Sequence, residues 1–203
     1  MPAGFVLEKP VETVAFSSPA QFAVSTRTAS LNVALFAQYG GLAEPGTDIC
    51  ALRIAGDDLS IHTVVSCRAV WEAENGENRL VPRPLHNHPD GIALAEKCQS
   101  VISIRGRHAC HDALGEVCVD GLDAELIAAL GRTLTGFGFV VHDEPLQSRA
   151  KHPDNICNRG LRMRGVELDI SHELMSHLLN EAGTMARFVA AVRSGIARVL
   201  PEA

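Results

Sequence analysis

Residues 37–54 read AQYGGLAEPGTDICALRI, and the fold follows from how this stretch begins and ends. The apolar run before it, residues 31–36 (LNVALF), has the length of a buried strand. The chain then turns through Gly40-Gly41, sets Glu44 beside Pro45-Gly46, and enters a helix that starts at Thr47 or Asp48. A strand that runs through a glycine turn into a helix N-terminus is where α/β proteins build sites.

Working outward, the same grammar recurs. Residues 100–104 (SVISI) form a second strand that ends at Arg105-Gly106, a strand-end position like that of Tyr39-Gly40. Residues 116–120 form a third strand. Residues 122–134 form a helix with Leu126, Ile127, Leu130 and Leu134 on one stripe. A strand over 137–141 follows, then one over 165–170 (GVELDI), a helix capped by Ser171, and an amphipathic helix over 184–199. Residues 48–55 are a short helix closed at Gly56, and Asp90 opens another through Gln99. Nearer the N-terminus, 11–16 and 22–25 read as extended pieces separated by a Ser17-Ser18-Pro19 turn. Residues 59–65 alternate as a strand, with 69–71 as its hairpin partner or bulged continuation. Residues 81–85 are extended, with prolines that argue against a central strand. Residues 143–164 form a polar loop longer than a connector needs, a hint of function. The alternation predicts one α/β domain over 1–203, a mixed, mostly parallel central sheet with helices on both faces.

Composition removes several function classes. The chain has 203 residues, is 46% hydrophobic and carries a net charge of -6, with one Trp and one Tyr. That balance supports a normal core and argues against a nucleic-acid partner, which needs basic patches. No run of about 18 apolar residues exists, so no membrane partner is expected. The N-terminal residues lack the basic-then-apolar order of a signal peptide, which makes a cytoplasmic location the expectation. The six cysteines, Cys50, Cys67, Cys98, Cys110, Cys118 and Cys157, are scattered without a CxxC pair and read as reduced thiols.

Three segments together resemble the phage and bacterial poly-γ-glutamate hydrolase family. Residues 40–47 (GGLAEPGT) are similar to its His-Gly-Gly-Gly-Ile-Glu-Pro-Gly-Thr loop, and residues 103–106 (SIRG) to its Ser-Ile-His-Gly. Residues 152–160 (HPDNICNRG), with 165–171 (GVELDIS), are similar to a stretch that ends GVQLELS; Asn78-Arg79 and 119–123 (VDGLD) agree as well. The resemblance spans roughly residues 31–175 and implies a zinc-carboxypeptidase-like open sheet, zinc as cofactor and an acidic, γ-glutamyl-type amide substrate.

Where this chain departs from the pattern is as informative. The resemblance places the metal ligands at Tyr39, Glu44 and Arg105, and Glu44 alone keeps the family's residue. A guanidinium stays protonated and has no lone pair to donate, so Arg105 cannot replace an imidazole; it suits an ion pair with Glu44 instead. The family's general-base Glu corresponds to Asp169, with a reach shorter by about 1.5 Å. Glu167, two residues earlier, shares its strand face. By the resemblance, Asp169, Glu167 and Tyr39 are the catalytic candidates and Glu44 the metal candidate. Arg105, Asn158, Arg159 and His88 are the candidates for substrate binding.

Outside those segments, His86 and His88 can point the same way on an extended segment, and His108 with His111 can share a helix side. Together they offer a substitute metal site, while the plain alternative is solvated loop histidines. Cys110 beside His108 and His111 has the composition of an activated thiol but no more than that. Arg159, Arg162 and Arg164 have forks suited to carboxylates. His172 and His177 read as surface residues. Three functions stay open. One is a zinc amidohydrolase with Glu44, helped by His88, as ligand. The second is a metal-free enzyme or binding protein using the same pocket for a small polar, amino-acid-like ligand. The third is an interaction protein in which the old site is only structural, its Glu44–Arg105 pair a stabiliser; separately, a homo-oligomer is a candidate assembly. The two lost histidines predict that zinc is not bound in the ancestral manner.

Overall fold

The computed structural model describes residues 12–15, 21–27, 33–37, 39–40, 44–56, 63–70, 89–107, 116–142 and 149–200. Strands β1 (Glu12–Ala15), β2 (Gln21–Arg27), β3 (Val33–Ala37), β4 (Thr63–Val70), β5 (Ser100–Arg107), β6 (Glu116–Gly121), β7 (Val140–His142) and β8 (Val166–Ser171) form one sheet. Its order is β1-β2-β4-β3-β5-β8-β6-β7. Four of the seven pairings, β3 with β4, β3 with β5, β5 with β8 and β6 with β7, are parallel; the other three are antiparallel. The expected mixed, mostly parallel sheet is what forms. No helix among the described residues is long and apolar enough to cross a membrane.

Every residue of β3 is buried, as a strand covered on both faces must be. Leu35 joins Ile102, Ile104, Val117, Val119, Leu168 and Ile170 on one face. Helices α1 (Thr47–Ala55), α3 (Ala124–Gly136), α4 (His172–Asn180) and α5 (Ala182–Val199) cover that face, with Ile54, Leu126, Leu130, Leu178, Phe188 and Val192 in the same core. Phe139 meets Phe188 edge to face, with centroids 5.4 Å apart. On the opposite face Ala34, Phe36 and Val101 pack with Ala95 at the end of α2 (Pro89–Ala95), Cys98, and the Ile156-Cys157 pair.

Local chemistry sets the boundaries. The Asp123 side chain accepts from Leu126 N–H at 3.2 Å, so α3 starts two residues later than its apolar pattern suggested. Ser171 caps α4 as expected and also accepts from Glu116 N–H at 3.1 Å, which ties β6 to the helix start. At the far edge, β7 is three residues long rather than five, and His142 Nε2 lies 2.7 Å from Glu116 Oε1.

Three sequence expectations are corrected. Residues 63–70 are one strand, so 69–70 continue it and are not its hairpin partner; Trp71 lies outside the described residues. β5 continues past Arg105-Gly106 to Arg107, because β8 pairs with it through Ser171. Within the described part of the polar loop, 149–164, a 3₁₀ turn forms at Ile156–Arg159 and Asn155, Ile156, Cys157 and Asn158 are buried, while 151–154 stay exposed. The Ser17-Ser18-Pro19 turn and residues 81–85 lie outside the described residues. Cys50, Cys98, Cys118 and Cys157 are buried thiols in no disulfide; burial pushes Cys50 up to about 12 and raises Cys157 as well.

Candidate functional site

The parallel register of β5 and β8 sets Ser103 beside Glu167 and Arg105 beside Asp169. Their neighbours Ile102, Ile104, Leu168 and Ile170 point into the large core, so these four side chains share the opposite face. Antiparallel β6 adds Asp120 next to Glu167 and Cys118 next to Asp169. The turn after β3 brings in Tyr39 and then Glu44, whose N–H donates to the Tyr39 carbonyl at 2.8 Å.

Glu44 bridges the gap to β5. Its Oε2 accepts from Gly106 N–H at 2.9 Å and its Oε1 from Arg105 Nη2 at 3.4 Å. A Cβ on Gly106 would stand 3.3 Å from Glu44 Cβ, so the missing side chain lets the turn approach the strand. The same guanidinium places Nη1 3.9 Å from Glu167 Oε1 and its central carbon 5.0 Å from the Tyr39 ring centroid, a cation–π geometry. Glu167 is 2% exposed; its Oε2 accepts from Asn155 Nδ2 at 3.2 Å, and its Oε1 is buried without a hydrogen-bond partner. Asp169 is half-buried.

Burial, and then the charge of Asp169, pushes the Glu167 carboxyl up to about 7, with Arg105 and Asn155 opposing. Burial likewise raises Asp169 and Glu44 above the usual carboxylate range, and raises the Tyr39 phenol. Burial alone would lower the Arg105 guanidinium, but Glu167, Glu44 and Asp169 hold it above its ordinary value. The centre of the site is thus a fixed positive charge among carboxylates, one of which sits near neutrality.

The structure brings Tyr39, Glu44, Arg105, Glu167 and Asp169 together. It does not bring Asn158 or Arg159 to them. Asn158 is buried, with Nδ2 donating to the Ala150 and His152 carbonyls at 2.6 and 2.9 Å and Oδ1 accepting from Gly165 N–H at 3.1 Å. It knits the 150–165 segment. Arg159 pairs with Asp154 at 3.6 Å, and Arg162 and Arg164 with Asp123 at 3.0 and 3.8 Å. His172 and His177 are exposed. His86, His88, His108, Cys110 and His111 lie outside the described residues. The residue that sequence reasoning passed over is Asn155, which orients Glu167. Its signal was the segment HPDNICNRG, in which either asparagine qualified.

A family model for poly-γ-glutamate hydrolase matches residues 14–191. The chain belongs to the poly-γ-glutamate hydrolase family. Two solved structures share the fold. A bacteriophage poly-γ-glutamate hydrolase superposes with a TM-score of 0.74 at 18% identity, covering 87% of this chain and 88% of its own. A zinc-free form of YNDL gives 0.66 at 20% identity, covering 83% and 89%. No curated protein matches the chain. Tyr39, Glu44 and Arg105 meet where the turn after β3 approaches β5. Among the described residues no group of three or more His, Cys, Asp or Glu side chains can hold a metal ion.

Proposed function

We propose that this member of the poly-γ-glutamate hydrolase family holds no zinc at the ancestral position and uses the pocket for a small polar, amino-acid-like ligand. The observation that carries this reading is the Arg105 guanidinium between Glu44 and Glu167. Both Glu44 oxygens are already engaged, by Gly106 N–H and by Arg105. The donor set does not fit zinc, because a guanidinium offers no lone pair and its charge repels a second cation. Arg105 instead supplies a positive charge that the three carboxylates neutralise. Glu167, poised near neutrality beside a solvent-reachable carboxylate, is the group suited to give or take a proton if the pocket carries out chemistry.

Metal analysis of the purified full chain tests this. Zinc well below one per chain, unchanged in Glu44→Ala, is expected; stoichiometric zinc that falls away in Glu44→Ala would sink the proposal. Ligand-induced thermal stabilisation that disappears in Arg105→Ala separates a working pocket from a purely structural ion pair.

A further inference from the structure

Away from the Arg105 cluster, a groove of about 870 Å³ runs along the outer flank of α3, within the size range of ligand sites. Ala124, Ala128 and Gly131 line one wall, and residues 119–121 of β6 line the other. β7 pairs with β6 only over residues 116–118, so among the described residues no strand covers the outer side of β6 at 119–121. Gly131 stands inside a helix of 13 residues, although glycine is a poor helix former. A Cβ there would meet nothing within 4 Å, so packing does not ask for a glycine; its effect is to leave the groove wider. Two cations stand at the groove, Lys151 and Arg132. Lys151 reaches the buried Asp120 carboxylate at 3.2 Å, while Arg132 is exposed and has no ion pair among the described residues. Two positive charges against one negative leave the groove with a positive excess, on a chain whose net charge is -6.

We propose that this groove is a docking site for an extended peptide segment of a partner protein, one that carries an acidic residue. The open edge of β6 presents backbone N–H and C=O groups, which an added strand satisfies in a way that a compact ligand does not. Three residues of edge are too few to hold a strand unaided, and the wall made by α3 supplies the remaining contact. The groove follows α3 from Ala124 to Gly136, roughly 18 Å along the helix, which is the span of about five extended residues. Short side chains at 124 and 128, and none at 131, let such a segment lie against the helix. The Arg132 guanidinium offers its fork to a carboxylate, which selects Asp or Glu over Lys in the incoming segment. The groove shares no residue with the Arg105 pocket, so this proposal stands or falls apart from the function proposed above.

Selection of short random peptides displayed on phage against the immobilised full chain tests this, with the enriched peptides then synthesised and measured by fluorescence anisotropy. Enriched peptides are expected to carry Asp or Glu, and to bind about tenfold more weakly once their central residues are N-methylated. Gly131→Leu, whose side chain enters the groove, is expected to weaken binding by at least about the same factor while melting no lower than the native chain. Arg132→Glu, an exposed change that leaves the fold intact, is expected to turn the preference toward lysine-bearing peptides. No enrichment, or binding that both Gly131→Leu and Arg132→Glu leave unchanged, would overturn the proposal. Peptides that bind equally well when N-methylated would overturn the strand-pairing mode, and enriched peptides without acidic residues would overturn the acidic partner.

Discussion

Replacing Glu167 with glutamine isolates the cost of ionising a buried carboxyl. The group sits at about 7 in the folded protein against an ordinary 4.5, and it is 2% exposed. A folded-state value above the unfolded one means that the protonated form is favoured by folding. Its contribution is fully present below pH 4.5 and is lost as pH rises through about 7. The gap is worth about 3 kcal/mol. Glutamine is neutral throughout and keeps an oxygen for Asn155 Nδ2. Urea unfolding of both proteins at several pH values between 4 and 8.5 gives the difference directly. Glu167→Gln should gain about 3 kcal/mol on the native chain across that range, with most of the change between pH 5 and 7.5. Glu44 and Asp169, also raised, are present in both proteins but lose the repulsion of Glu167 in the variant, so the difference measures Glu167 together with its coupling to them. A difference that stays flat with pH, or that falls, would refute the claim that Glu167 is a desolvated, under-compensated carboxyl.

Two further outcomes follow from packing. Gly165→Ala would drive a Cβ into the carbonyl oxygens of Cys157 and Val101, neither of which can step aside, and should cost at least about 3 kcal/mol in a denaturant titration. Arg162→Ala removes the nearer partner of the fully buried Asp123 and leaves Arg164 at 3.8 Å. A loss of about 2 kcal/mol is expected, and Asp123→Asn in the same background should recover part of it, as a double-mutant cycle would show.

Legibility in the sequence tracked how far each signal reached along the chain. β3, α1, the Leu126-Leu130-Leu134 stripe and the Ser171 cap are local patterns, written in consecutive residues, and they are where the sequence puts them. The pairing of Arg105 with Glu44 was also readable, because the resemblance sets the loop after β3 against this part of β5. The insertion of β8 between β5, to which it is parallel, and β6, to which it is antiparallel, was not, since strand order leaves no mark on composition. Nor was the burial of 155–158 within the 150–165 segment. Its asparagines and arginines look like a solvated loop until their amides and guanidinium groups are seen spent on carbonyls and on Asp123. That is also why Asn158 and Arg159 were nominated for ligand contact and Asn155 was not. All are polar residues in one motif, and only the fold distinguishes which of them faces Glu167.

Among the described residues, the outermost strands of the sheet, β1 with four residues and β7 with three, are its shortest. An extended chain laid against β7 would find only three residues to zip onto, beside the His142–Glu116 contact on its inner neighbour. Strand-by-strand growth into fibrils or swapped assemblies needs a longer template. Over the described residues, the apolar strands that make the interior cohesive are thus fenced by borders that offer another strand little length to pair with.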